Sequence, residues 1–552
     1  MIVEKIKKEI IEVFQKKYSY HQNVEYSNVD GVDLACPLFR ISKLKNIKIE
    51  DIFDSIKSSL LNLKYIKNIS YERGYANIKL DENLFSHDLF KLSLTKKIGQ
   101  KDPNNKVVVI DFSSPNIAKR FSIGHVRSTV LGNSIKKIYE LMGYKVIGVN
   151  HLGDWGTQFG KMIYALETYG SMNMLQNDPI KNLNKLYVKF HKEESKNPEI
   201  LSYAKKIFNE LENGNEKYLS IWKEIKKHSL VEFQKYYKLL NVDFDYFTGE
   251  SFYNNKLNDV VERMKRLNIL EKDQDANIVR LNDLPPALIS KSDGSSLYIT
   301  RDIAAAIYRS EEFKADKLLY VVGNEQSLHF KQLQRVLNKM NENIEIVHIN
   351  FGLVMQNGKK MSTRTGDVQT LDYVLNEAIH MAKNSIEQKN PNLSNKEKVA
   401  EKIAMSAIVY NDLKNEKHLN IDFNLANMLK FEGQTGPYLQ YTSVRMSSLL
   451  QKIDSNLVLE MNTIIDKSVF KIGLHISRID EAIEKAYSEN QPSIISRFAF
   501  ELAQMFNSWY GNSKIITDNL EKTKTNLSVV YASKKTLDLC LKILGIEILN
   551  EM

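Results

Sequence analysis

Only two cysteines, Cys36 and Cys540, occur in 552 residues. They stand near opposite ends of the chain, so neither a disulfide framework nor a CxxC metal site can be built, and a reducing cytoplasm is the expected setting. No run of about 18 apolar residues is present, so no membrane-spanning helix is expected. The amino end, MIVEKIKKEIIEVFQKKY, carries charge throughout and lacks the uninterrupted apolar core of a signal peptide. Neither a Walker loop (GxxxxGKS or GxxxxGKT) nor a GxGxxG fingerprint occurs, which removes two common phosphate-binding turns.

What is present suits a soluble chain. A hydrophobic share of 43% beside 26% charged residues is enough to bury cores without covalent staples. At about 150 residues per domain, three to four domains are expected. Lys and Arg number 77 against 67 Asp and Glu, a net charge of +10, which favours a polyanionic partner without requiring one.

The stretch 107–160 organises the chain. A β-branched run from Val107 to Phe112 leads through a loop into apolar positions at helical spacing (Val130, Leu131, Ile135, Ile138, Leu141), and a second apolar run, Val146 to Val149, follows Gly143. Strand, helix and strand in this order make one right-handed parallel unit of a doubly wound sheet, whose ligands bind beyond the carboxyl ends of the strands. The first such turn holds Ser113, Ser114, Pro115, Asn116, Lys119, Ser122, Gly124 and His125, just where the helix begins. Free N–H groups and the positive helix end favour an anion there, Gly124 permits close approach, and Lys119 and His125 can donate to phosphate oxygens.

Other polar turns follow. In NVDFDYFTGES, Glu250 sits beside Gly249 at a turn, and in SSLYITRDIAAAIYR a short strand is expected to end at Thr300, capping a helix with Asp302 in its first turn. A tyrosine ring at Tyr298 beside carboxylates suits a guanidinium, which can stack on the ring while acids take its forked N–H groups. The strand 317–322 ends in GNEQSLHF, which sets Asn324, Gln326 and His329 at another carboxyl edge. Then QNGKKMSTRTGDV gathers Lys359, Lys360, Met361, Ser362 and Arg364 in a basic loop able to close over a triphosphate. Residues 165–240 read as helices inserted between the halves of the fold, and the chain beyond about 395 as wholly helical. Most aromatic side chains there belong to cores, while Tyr438, Tyr441, Trp509 and Tyr510 are candidates to stack on unpaired bases.

With SSPNIAK before it, VRST after it and NHLGDWGTQFG beyond the next strand, the SIGH turn resembles the HIGH signature of class I aminoacyl-tRNA synthetases, in the arginyl-tRNA synthetase branch. The KKMSTR loop resembles the KMSKS signature of the same class. The resemblance implies a multidomain α/β protein: an N-terminal α+β domain contacting tRNA (1–100), a class I Rossmann-like doubly wound parallel-sheet catalytic domain with its helical insertion (101–394), and a C-terminal all-α helical bundle that binds the anticodon (395–552). It implies ATP, taken with Mg2+, as a substrate beside L-arginine and tRNA(Arg), and a need for bound tRNA even in the first step. It assigns Asn116, Glu250, Tyr298, Asp302 and Gln326 to arginine. Ser122, Gly124, His125, Lys359, Lys360, Met361, Ser362 and Arg364 are assigned to ATP, with Lys119, His125 and Lys360 acting in catalysis. No resident metal is expected, and a cytoplasmic monomer is.

This sequence departs from the family pattern at several points. Ser122 replaces the first His of HIGH, and Thr363 replaces the second Lys of KMSKS, a loss that many arginyl enzymes share and that Lys119 is expected to offset. Gln434 and the terminal LGIEILNEM also differ, and bear only on RNA contacts. Three other readings remain open from sequence: a class I synthetase for another amino acid, a nucleotidylyltransferase sharing only the SIGH-type turn, and a catalytically inactive RNA-binding paralogue.

Overall fold

Helix α1 (Ile2–Tyr18) buries Ile6, Ile10 and Phe14, a stripe at four-residue spacing. It shares a core with α2 (Phe39–Lys45), α3 (Ile49–Leu61), α4 (Glu82–Thr95) and an antiparallel sheet of β1 (Glu25–Tyr26), β2 (Leu34–Pro37), β3 (Ile66–Glu72) and β4 (Tyr75–Leu80), ordered β1-β2-β4-β3. This computed structural model describes residues 1–95, 98–176, 178–273, 276–291, 298–356, 358–360, 371–452, 459–461, 463 and 465–552, with the backbone alone at Lys291, Tyr298, Gln356, Lys359 and Lys360.

The chain then runs through β5 (Val107–Asp111), α5 (Ile123–Leu141), β6 (Lys145–Val149), α6 (Thr157–Tyr169), α7 (Pro179–Glu194), α8 (Ile200–Glu212) and α9 (Glu216–Leu239). After α10 (Leu257–Arg266) and a small sheet of β7 (Glu271–Asp273), β8 (Ala276–Val279) and β9 (Ala287–Lys291) come α11 (Tyr298–Phe313), β10 (Lys317–Gly323), α12 (Ser327–Lys339) and β11 (Glu345–Phe351). Strands β11-β10-β5-β6 pair in this order, all parallel. The period of two divides their side chains between two cores. Val108, Ile110, Leu319 and Val321 join the core that holds α5, while Val109, Leu318 and Tyr320 join the one that holds α11 and α12. The chain leaves β5 for β6 on one side and returns to β10 on the other, so the direction of winding reverses between β5 and β10. Crevices at such switch points receive ligands.

Past β11 come β12 (Val354–Gln356), β13 (Lys359–Lys360), α13 (Leu371–Lys389) and α14 (Lys396–Leu413). Among the described residues the region expected to be wholly helical contains one exception, β14 (Ile421–Asp422), which pairs in parallel with β12. Its neighbours explain it: the N–H groups of Ile421 and Phe423 donate to the carbonyls of Leu353 and Met355. Helices α15 (Leu425–Met428), α16 (Gly436–Gln451), α17 (Lys467–Ile476), α18 (Ile479–Glu489), α19 (Ser493–Asn512) and α20 (Leu520–Ile543) complete the fold. Among the described residues no helix is long and apolar enough to cross a membrane.

Candidate active site

At the end of β5 the buried Asp111 pairs with Arg309 (Nη1 to Oδ2, 2.8 Å) and accepts from the Ser114 hydroxyl at 2.8 Å. Burial opposes the Arg309 charge, but Asp111 more than offsets it, so the guanidinium stays charged. The following turn is strained: Ser113, Ser114 and Ala118 have φ of 72°, 45° and 63°, each costing on the order of 1–3 kcal/mol for a residue bearing a Cβ. Surrounding groups hold it there. The Ser113 N–H donates to Ser128 Oγ at 3.0 Å, the Ala118 N–H donates to Ser229 Oγ at 3.1 Å, and Ser113 Oγ meets the Tyr237 hydroxyl at 2.9 Å.

Ser122 precedes α5, and its backbone N–H donates to Nδ1 of His125 at 3.0 Å. An Nδ1 that accepts leaves the imidazole proton on Nε2. Burial, with the nearby Lys119 charge adding to it, pulls the His125 pKa down to about 4. Near neutral pH the ring is therefore an uncharged Nε2–H donor with a fixed tautomer, and positive charge in the turn comes from Lys119 and its neighbour Arg120. Phe121 stacks on Tyr236 of α9 (centroids 5.3 Å apart) and sits 5.2 Å from the His125 ring, so the inserted helices wall in the turn. Gly124 is exposed, and a Cβ there would meet only Ser122 Oγ, at 3.7 Å, which leaves the helix end open to an anion.

The second turn, after β6, bridges the first. Asn116 and Gly153 pair in parallel, and a Cβ on Gly153 would lie 2.1 Å from Asn116 Oδ1, so only glycine admits that amide. Next to it Asp154, fully buried, accepts from Lys226 Nζ (2.6 Å), the Ser251 N–H (2.8 Å) and the Ser251 hydroxyl (2.7 Å). The Glu250 N–H donates to the Leu152 carbonyl at 3.0 Å. Asp154 thus seats the loop that carries Glu250. Burial pushes the Glu250 carboxyl up to about 7; Arg301 opposes this, and the Asp154 and Asp302 charges add to it. Glu250, Asp302 and Arg301 therefore share one neighbourhood. His329 Nε2 donates to Asp302 Oδ2 at 2.6 Å, and Gln326 is exposed at the carboxyl end of β10.

One local expectation fails. Thr300 does not cap α11, which begins at Tyr298; its hydroxyl donates to the Ile289 carbonyl instead, tying the helix to β9. Positions 298 and 302 thus lie one turn apart in a single helix. The Tyr298 side chain falls outside the described atoms, as do those of Lys359 and Lys360, whose backbone forms β13. Met361, Ser362, Thr363 and Arg364 fall outside the described residues.

In the helical region Tyr441 and Tyr510 are exposed and flank Arg445, whose guanidinium carbon lies 4.8 Å from each ring centre. Tyr438 is half-buried, with its hydroxyl accepting from Asn507 at 3.0 Å. Trp509 is 2% exposed and packs on Phe506, so it belongs to the core rather than to an RNA-facing surface. Asp154, Arg301, Arg445 and the His329 contact with Asp302 were not expected from sequence. For Asp154 there was a signal, an acid between Gly153 and Gly156 at the end of a strand; the others are set by tertiary contacts.

Comparison with known proteins adds the rest. The family described as tRNA synthetases class I (R), catalytic domain, matches residues 89–425, and the DALR anticodon binding domain matches residues 439–552. The chain is 41% identical over 531 residues to the arginine–tRNA ligase of Exiguobacterium sibiricum, spanning 95% of this chain and 94% of that one. To arginine–tRNA ligase 1 of Bacillus cereus it is 43% identical over 529 residues, spanning 94% and 93%. The crystal structure of arginyl-tRNA synthetase from Plasmodium falciparum matches with a TM-score of 0.84 and 26% identity, covering 100% of this chain and 99% of that one.

Proposed function

The chain belongs to the class I (R) tRNA synthetases, and we propose that Asn116, Glu250, Tyr298, Asp302 and Gln326 hold its arginine while ATP lies over the turn from Ser122 to His125. The activity is arginine–tRNA ligation. The carboxylate of L-arginine attacks the α-phosphorus of ATP, giving arginyl-adenylate and pyrophosphate. A ribose hydroxyl at the 3′ end of tRNA(Arg) then takes the arginyl group and releases AMP.

No protein nucleophile or general base is needed in the first step, because the amino-acid carboxylate is already ionised at neutral pH. Positioning and charge stabilisation carry the rate. In this reading the Nε2–H of His125, the ammonium of Lys119 and the open N–H groups of α5 stabilise negative charge growing on the phosphates. Lys359, Lys360, Met361, Ser362 and Arg364 close over the departing pyrophosphate, and Lys119 supplies the cation that Thr363 does not. Magnesium arrives with ATP as part of the substrate. On the helical region, Tyr441 and Tyr510, with Arg445 between them, offer π-faces to unpaired bases of the tRNA. The two buried cysteines suit a cytoplasmic protein, and it is taken to act as a monomer.

The convergence of Glu250 and Asp302 carries the arginine reading. Two partly buried acids in one neighbourhood, with only one Asp302 oxygen taken by His329, favour a cationic substrate over an apolar one, which offers the acids no donor. A nucleotidylyltransferase has no use for the anticodon-binding region matched at 439–552. The test is a charging assay with ATP, total tRNA and each amino acid in turn, run with and without the RNA. Arginine alone should be charged. Charging of leucine or cysteine in its place would overturn the assignment, and failure to charge any amino acid would favour an inactive paralogue.

A further inference from the structure

Asp302 on α11 and His329 in the first turn of α12 come from different elements, and each side chain is 23% exposed. Their contact, His329 Nε2 to Asp302 Oδ2 at 2.6 Å, joins these elements at the edge of the crevice. A carboxylate offers two oxygens and can rotate between acceptor directions. With a donor fixed on Oδ2, that rotation stops. Among the described residues Oδ1 has no hydrogen-bond donor, so it is the oxygen left for a ligand. The imidazole is itself held by packing: Phe330 stands edge-on to it at 5.3 Å and stacks on His348 at 4.5 Å. Gln326 immediately precedes α12, three residues before His329.

We propose that His329 is a positioning residue for arginine, setting the Asp302 carboxylate so that Oδ1 meets the substrate guanidinium beside Glu250. The inference rests on the reading of Asp302 as an arginine ligand. A residue acting this way affects arginine and spares ATP. A hydrogen bond to a charged group contributes roughly tenfold or more in affinity, and loss of binding that is equal in ground and transition states raises KM without lowering kcat.

The test measures steady-state charging by the full-length enzyme with tRNA saturating. His329→Ala should raise the arginine KM about tenfold while the ATP KM, kcat and melting temperature stay near the parent's. His329→Gln, which keeps an N–H donor, should recover most of the loss. Asp302→Asn is measured beside them. If Asp302→Asn spares arginine, the arginine site itself is misassigned. If Asp302→Asn loses arginine while His329→Ala leaves its KM unchanged, or raises the ATP KM equally, only the role of His329 falls.

Discussion

The guanidinium of Arg127 stands 3.8 Å from the carboxylate of Asp412, and both side chains are buried. The pair joins α5, which begins just after Ser122, to α14 in the helical region that follows the parallel sheet. Arg127 also donates to the carbonyls of Leu353 (3.3 Å) and Lys417 (2.9 Å), so one fork grips the segments leading to β12 and to β14. Burial raises the Asp412 carboxyl to about 6, with Arg127 opposing. Burial also lowers Arg127, with Asp412 opposing.

Removing one partner strands the other's charge. Arg127→Met should cost about 3–5 kcal/mol, read as a lower thermal transition, and adding Asp412→Leu should recover part of it. Only part returns, because the Leu353 and Lys417 carbonyls stay unpaired. An Arg127→Met protein as stable as the parent would contradict the joint.

Arginine binding should depend on pH through Glu250. With its pKa raised to about 7, Glu250 in the empty site is protonated below that pH and ionised above it. A guanidinium favours the ionised form, so binding below pH 7 releases a proton, and affinity should rise by up to about tenfold per pH unit toward 7 and then level off. Calorimetry at pH 6 and 8, in buffers of different ionisation enthalpy, measures this. Glu250→Gln should remove that dependence, and a parent affinity indifferent to pH would refute it.

If the turn from Ser122 to His125 holds the phosphates of ATP, losing a transition-state donor there has a large cost. His125→Ala should slow tRNA-supported pyrophosphate exchange by about 100-fold or more, and Lys119→Met by a similar order. Because His125 titrates near 4, the rate between pH 6 and 8 should show no ionisation of this ring. If Lys119→Met exchanges at the parental rate, the charge missing at Thr363 is made up elsewhere.

Tyr441 and Tyr510 should behave differently from Trp509. Alanine at either exposed tyrosine should weaken tRNA binding by about 1–3 kcal/mol without lowering the melting temperature. Trp509→Ala, which empties a core site, should cost about 3–5 kcal/mol of stability. Filter binding and thermal melts separate the two; a stable Trp509→Ala protein with impaired RNA binding would reverse the assignment.

The parallel unit was legible because β-branched runs, a glycine stop and an unusual polar turn all fall within one stretch, 107–160. The same stretch puts Asn116 in the turn after β5 and His125 in the first turn of α5, as the fold shows. The seating of Glu250 by Asp154 spans nearly a hundred residues through the Ser251 backbone, and no local pattern encodes such a contact. Trp509 was misjudged because an aromatic at helical spacing looks the same whether its face meets a core or water. Thr300 was misplaced because α11 begins two residues before it, and its hydroxyl is used by β9.

The most direct measurement is the pair of Michaelis constants, for arginine and for ATP, in Asp302→Asn. If the acids beside Asn116 grip the guanidinium while the turn at His125 holds the nucleotide, the arginine KM rises by about a hundredfold, as expected when a charged hydrogen-bonding partner is lost, and the ATP KM stays within about twofold. An unchanged arginine KM would contradict the account.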